Sequence, residues 1–140
     1  MKRPIVLVAL AIPLLGGASA PPASPRTAVA AMFAAFNAHD PAAMARLYAP
    51  DARLTSSDFC APRRGTDVQR TYAALFAAMP DLNDQVDTVV AEGDRVAVRF
   101  TATSSNTGLR LPIVSMLRVQ DGLIVEDDSV FDAGGRICTS

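Results

Sequence analysis

One histidine and two cysteines are all the imidazole and thiol groups this 140-residue chain carries. Zinc and iron sites built from several such ligands are therefore not expected, and no metal or organic cofactor is expected. No run of basic residues is present, so nucleic-acid binding has no electrostatic support. The longest apolar run, Ile5 to Leu15, is too short to span a bilayer. Neither internal repeats nor low-complexity tracts divide the chain, which reads as a single domain.

What is there begins with an address. Lys2 and Arg3 precede the apolar run, and Ala18-Ser19-Ala20 offers small residues for cleavage. Residues 1–20 thus have the layout of a secretory signal peptide. Pro21 is awkward beside a cut, so cleavage after Ala18 or Ala23 stays open, and an uncleaved anchor is the alternative. No cysteine lies there to carry a lipid. The expected location is secreted or periplasmic, with no membrane contact after signal removal. Without residues 1–20, eleven basic residues face fourteen acidic ones, a net charge of −3. Residues 21–26 read as a disordered lead-in, 27–135 as the domain and 136–140 as a tail. About 120 residues are enough for one core. In an exported chain Cys60 and Cys138 can pair, with free thiols or an intermolecular bond as alternatives.

Apolar residues recur with helical spacing at Val29, Met32, Phe33 and Phe36, predicting a helix over 27–38. Asp40 and Pro41 suit the cap and first turn of a short second helix, with Met44, Leu47 and Tyr48 on one face. A strand is expected over 51–56. Thr66-Asp67-Val68-Gln69 has the form of a capping box. Val68, Tyr72, Leu75, Phe76 and Met79 then mark one side of a third helix that Pro80 closes. Beyond it the apolar period drops to two. Strands are expected over 85–92, 95–104, 111–120 and 123–132, with tight turns at Gly93-Asp94 and Asp121-Gly122. The order ααβαββββ implies an α+β fold, three N-terminal helices on one face of a curved antiparallel sheet.

Three motifs carry a resemblance over about residues 27 to 132. They are the run from Asn37-Ala38 through Leu47-Tyr48-Ala49 to Asp51, the Arg95–Phe100 strand RVAVRF, and the Leu117–Glu126 hairpin LRVQDGLIVE. In order and spacing they resemble the nuclear transport factor 2-like superfamily, and within it the SnoaL-like polyketide cyclases and steroid Δ-isomerases. The resemblance implies a cone, in which a bent sheet wraps a helix and encloses an apolar pocket. It also implies what is missing. Ser56 stands where the isomerases carry their proton-shuttling Asp, and Met32 where they carry an oxyanion-hole Tyr. Ser115, or Val114 if a gap shifts, stands where they carry a neutral Asp. Steroid isomerisation by that route, which needs a base and two donors, is not expected.

The resemblance and the two-residue period together imply which strand residues face the pocket. They are Ala97, Arg99, Thr101 and Thr103 on one strand; Ile113, Ser115 and Leu117 on the next; and Val125, Asp127, Ser129 and Phe131 on the last. A one-residue slip would reverse any of them. In this register Arg99 orients Asp127, which acts as acid/base, much as SnoaL-like cyclases use an acid of the last strand. Limonene epoxide hydrolases, on the same fold, use an Asp-Arg-Asp set; Arg99 fits its Arg, but Thr101 replaces one Asp. A purely structural Arg–Asp pair is the competing reading. Ser56, Asp58, Thr101, Ser115, Ser129, Phe131 and Met32 are the candidate ligand contacts. Asp58 also fits a solvated loop position. His39 reads as a turn residue, and Arg63 and Arg64 as a solvated loop patch at the rim. Glu126 and Asp128 should face away from the pocket.

Three functions follow. The first is an exported, non-catalytic or weakly catalytic protein that binds a small apolar or polycyclic molecule in the cone cavity and retains no isomerase catalytic set. The second is a cofactor-free cyclase, isomerase, dehydratase or hydrolase using Asp127 and Arg99. The third is an interaction domain, a homodimer joined through the open sheet face that carries Val96, Val98 and Phe100.

Overall fold

The computed structural model describes residues 20–135. The expected signal peptide, up to residue 19, and the tail with Cys138 lie outside the described residues, and the Cys60–Cys138 pairing lies outside them too. Helix α1 (Pro25–Asn37) is followed by α2 (Pro41–Ala45), β1 (Tyr48–Ser56) and the two-residue β2 (Arg63–Arg64). A single 3-10 turn (Gly65–Asp67) leads into α3 (Val68–Ala78). Four strands complete the chain: β3 (Asn83–Glu92), β4 (Arg95–Ser104), β5 (Leu109–Gln120) and β6 (Leu123–Val130). Among the described residues no helix is long and apolar enough to cross a membrane.

The helix starts follow from capping chemistry. Ser24 Oγ accepts from the Thr27 N–H at 3.2 Å, and Pro25 occupies the first turn of α1. Asp40 Oδ1 accepts from the Ala43 N–H at 2.8 Å, as expected for α2. The third helix is entered differently. Asp67 Oδ2 accepts from the Arg64 N–H at 3.0 Å, so the cap sits before the 3-10 turn and not at Thr66. His39 takes a left-handed φ of 52° to leave α1. Its Nε2 lies 2.6 Å from Leu82 O, and its ring stacks on Phe76 with centroids 4.5 Å apart. His39 thus pins the helix turn to the segment before β3.

The sheet order is β2-β1-β6-β5-β4-β3. Strands β3 to β6 form the expected antiparallel meander. Strand β1 joins its edge parallel to β6, and β2 pairs antiparallel with β1. Helix α1 packs across β3, β4, β5 and β6. Helix α3 leans on α2 and makes few contacts with the strands. Val68 and Phe76 of α3 nonetheless reach the buried core.

Tyr48 begins β1 and is not part of α2. Its backbone pairs with Ile124, because a β-branched or aromatic residue beside a strand partner extends readily. The lead-in is shorter than expected, since α1 starts at Pro25. Pro22 and Ala23 lie against Gly122, in the space a side chain there would fill. Gly122 and Asp121 carry φ values of 79° and 51°, the left-handed pair that a two-residue hairpin turn requires.

Register shifts interrupt three strand pairings and bend the sheet. Between β5 and β6, Val119 pairs with Ile124 but Arg118 with Glu126, so Val125 is an extra residue on β6. Between β3 and β4, Val86 pairs with Phe100 but Thr88 with Arg99, so Asp87 is extra on β3. Each extra residue reverses the facing of everything beyond it.

Strand β4 faces the other way from the expectation. Val96, Val98, Phe100 and Ala102 are buried in the core, whereas Arg99 is exposed on the outer face. The apolar outer face consists of Val90, Val114, Met116 and Val130, not Val96, Val98 and Phe100. The reason is that core contact with α1 selects the row carrying the larger apolar side chains. Phe33 meets Phe100 edge-on with ring centroids 4.9 Å apart.

Gly65 is the tightest point of the fold. A Cβ there would lie 1.8 Å from Ala49 O in β1. Gly108, with φ 69°, has open space around it. Gly65→Ala should therefore lose more stability than Gly108→Ala, roughly 3 kcal/mol or more against about 1 kcal/mol. Urea titrations of the two variants check this, and equal losses would refute the packing argument.

Candidate functional site

The inward-facing rows of the sheet define the site. Asp127 of β6 sits between Leu54 of β1 and Leu117 of β5, both buried. One step further along, Ser56, Ser129 and Ser115 form a row across the same three strands. The extra residue Val125 produces this arrangement. Ile124 faces inward, so unbroken alternation would have turned Glu126 and Asp128 inward instead. With the bulge, Glu126 pairs outside with Arg118 at 2.6 Å, and Asp128 Oδ1 accepts from Thr55 Oγ1.

Asp127 is 7% exposed. Tyr48 Oη donates to its Oδ2 at 2.7 Å, and Ser129 Oγ lies 3.4 Å from its Oδ1. Ser129 and Ser115 share a hydrogen bond of 2.6 Å. Burial between leucines pushes the Asp127 carboxyl up to about 6, against the opposing pull of the Tyr48 and Ser129 hydroxyls. Tyr72 of α3 lies close to Tyr48, so the two phenols share one electrostatic environment. Burial, and then the nearby Asp127 charge, push both phenols well above their ordinary range.

The remaining expected residues divide. Arg99 does not meet Asp127; it points outward from β4 and cannot orient that carboxyl. Thr101 is buried, but its hydroxyl donates to Asp87 Oδ2 at 3.3 Å on the Arg99 side of the strand. Ser56 faces inward, half-buried, with its hydroxyl donating to Asp58 Oδ1 at 2.6 Å. Phe131 follows the end of β6, half-buried, its N–H bonded to Ser57 Oγ at 2.9 Å. Met32 is a core residue of α1. Arg63 stacks over Phe59 at 3.9 Å and donates to Thr71 Oγ1, so one of the two loop arginines is committed to the fold. Among the described residues no cluster of His, Cys, Asp and Glu could hold a metal ion.

Two residues of the network escaped sequence reasoning. Tyr48 and Tyr72 were assigned to helix faces, where aromatic residues are ordinarily core. The one available signal is chemical: a phenol on a core face must find a partner for its hydroxyl. A third residue, Asp84, lies just outside the strand expected over 85–92 and belongs to β3. It pairs with Ala102 on the inward face of β3 and is 7% exposed. Its Oδ1 is buried without a hydrogen-bond partner, and burial pushes the carboxyl up to about 7. Such an orphaned polar atom costs about 1–3 kcal/mol.

Between α3 and the concave side of the sheet, Tyr72, Leu75, Leu111 and Ile113 are half-buried and pack against the core. Two hollows are open at the surface. One, of about 160 Å³, is bordered by Asp127 itself together with Leu117, Arg53, Thr55, Met116 and Asp128. The other, of about 330 Å³, lies beside α3 at Arg63, Asp67 and Arg70.

Raised carboxyl values set the sign of the pH dependence of stability. Between pH 4 and 7 the folded chain keeps protons on Asp127 and Asp84 that the unfolded chain has released. Stability should therefore fall as pH rises through this window, by roughly 3 kcal/mol for Asp127 and roughly 4 kcal/mol for Asp84. Asp81, held at about 2 by hydrogen bonds from Ser104, Asn106 and Ser105, acts in the opposite sense and only below pH 4. Urea titrations at pH 4.5 and 8 should show the loss, and Asp84→Asn should reduce it. Equal or greater stability at pH 8 in the parent chain would contradict the assignment.

Comparison with known proteins agrees with this fold. The model of the SnoaL-like domain family matches residues 29–127. A loop-truncation variant of IdmH is 29% identical, with a TM-score of 0.69 over 78% of this chain and 93% of that one. Wild-type IdmH of Streptomyces antibioticus, a candidate polyketide cyclase, is 27% identical, with a TM-score of 0.69 over 77% and 91% of the two chains. AclR of Streptomyces galilaeus, a candidate hydroxylase, is 28% identical, with a TM-score of 0.66 over 77% and 88%. No curated protein matches the chain. With most of its folded part covered by the family model, and the cone-like helix-and-sheet architecture in place, this chain belongs to the SnoaL-like domain family.

Proposed function

We propose that this chain binds a small, mostly apolar, oxygen-bearing molecule between α3 and the concave sheet face, and that Asp127 moves a proton on it without a cofactor. The observation that carries the reading is the Asp127 carboxyl itself. It is buried between leucines, brought close to neutrality, and held in direction by the Tyr48 hydroxyl. A general base works best with a pKa near the working pH. The likeness to a candidate polyketide cyclase supports a carbonyl-bearing, polycyclic substrate class. Residues 1–20 support export.

The proton step is simple. An Asp127 oxygen takes a proton from a carbon beside a substrate carbonyl. The C–H bond breaks, an O–H bond forms on Asp127, and the electron pair passes to the carbonyl oxygen as an enolate. Returning that proton to another carbon completes an isomerisation. Attack of the enolate carbon on a second carbonyl, with the proton going to the new alkoxide, completes a ring closure. Tyr48 takes the orienting place that the sequence assigned to Arg99.

Deuterium exchange at the carbon beside the carbonyl of 1-tetralone, followed by NMR, tests this reading. The parent chain should exceed buffer, and Asp127→Asn should lose about 100-fold. Exchange should rise with pH through about 6, the value of Asp127. Tyr48→Phe removes a hydrogen bond that lowers the carboxyl, so the rise should move to higher pH. An Asp127→Asn protein that is folded and as fast as the parent would end the proposal.

A second reading concerns self-association, for which exposed Val90, Val114, Met116 and Val130 on one sheet face are the motive. If this face joins two copies, Val114→Asp should convert a dimer to a monomer in sedimentation velocity. A parent chain that sediments as a monomer at high concentration would dismiss it.

A further inference from the structure

Asp84 has no structural employment. Its backbone is held at both ends, since Asn37 Oδ1 accepts from its N–H at 2.8 Å and Asn37 Nδ2 donates to its carbonyl at 2.9 Å. Both bonds go to the Asp84 backbone, and neither engages its carboxyl. The nearby His39 ring is bonded to Leu82 O. A carboxyl that served packing alone would be replaced without loss by an apolar side chain, yet this one is buried with Oδ1 unanswered.

The facing of Asp84 is set by the bulge at Asp87. Asp84 pairs with inward Ala102, and beyond the bulge Val89 pairs with inward Val98. Asp84 and Asp127 thus open onto the same concave face from β3 and β6, with two strands between them. In a flat sheet the register would put them on the order of 20 Å apart. Curvature shortens this. Tyr72 of α3 lies within the field of both acids.

We propose that Asp84 is the far anchor of the ligand: its carboxyl donates a hydrogen bond to an oxygen at one end of an elongated polycyclic molecule whose other end meets Asp127. This rests on the pocket reading above. A ligand oxygen would give the orphaned carboxyl its partner, and the carboxyl would be in its protonated, donating form at mildly acidic pH. The span between the acids calls for a molecule of three or four fused rings with oxygen at both ends. A single-ring compound would reach one acid only.

Three anthracenes of one shape test the inference: 2,6-diethylanthracene, 2-acetyl-6-ethylanthracene and 2,6-diacetylanthracene. Their binding is measured by fluorescence at pH 6. The parent chain should bind the diketone roughly tenfold more tightly than the monoketone, the worth of one hydrogen bond. Asp84→Leu should erase that step and keep the step from diethyl to monoketone. Asp84→Asn, which retains a donor, should keep both. Carboxyl-carbon NMR of the parent chain gives a reading that needs no variant: the Asp84 signal should move with the diketone. If the parent binds the monoketone yet gains nothing from the second carbonyl, the far anchor is wrong and the pocket stands. The same holds if Asp84→Leu keeps the full gain or the Asp84 signal stays still. If no anthracene binds the parent, both readings fall.

Discussion

A strand shows successive side chains to opposite faces, so a single extra residue reverses what each later residue meets. In this chain two such residues, Val125 and Asp87, decide what occupies the concave face. Without Val125 as an insert, Ile124 and Asp127 could not both face inward. Core packing would keep Ile124, and Asp127 would go to solvent beside its acidic neighbours. Without Asp87 as an insert, Asp84 and Val89 could not share a face. The bulges therefore allow an apolar core near one end of each strand to coexist with an inward acid near the other. They also bend the sheet, so the rephasing that selects the acids also makes the concavity they face.

Burial then sets the chemistry. Leu54 and Leu117 on either side of Asp127 strip water from its carboxyl, and no cation offsets this within the network. The Tyr48 and Ser129 hydroxyls supply the compensation through donors alone. Donors of this kind fix direction without pinning the carboxyl in its charged state, as an arginine would. A carboxyl held by Arg99 would have been a poor proton carrier near neutrality. The arrangement found leaves Asp127 able to take up and release a proton, at a cost in stability that grows with pH.

How much of this could be read from sequence varies by residue. Helix α1, the capping of α2 at Asp40, the bounds of β4 and the Asp121-Gly122 turn were legible because each depends on neighbours a few positions away. Asp127 and Ser129 facing inward was also legible, since the resemblance supplied the register of the last strand. The inward facing of Arg99 was not borne out. In RVAVRF one alternate row holds valines and a phenylalanine and the other an alanine and two arginines, and α1 takes the first. The role of Tyr48 was hidden because five apolar or small residues around it fit a helix as well as a strand. Asp84 was hidden because its significance is an absent partner, which spacing does not record.

The exposed valines and Arg99 on the outer face follow from the same parity. Residues alternate, so every inward acid or serine on β5 and β6 has an outward neighbour. Those neighbours include Val114, Met116 and Val130, which no element among the described residues covers. A sheet that carries polar chemistry on its helix-covered side thus presents apolar surface on its open side. The inward polar rows displace core residues that a simpler sandwich would have buried there, and the apolar remainder of each strand faces outward. The two faces are therefore not independent features of the molecule. Moving polarity from one face to the other, by shifting either bulge, would empty the site and rebuild the outer surface in a single step.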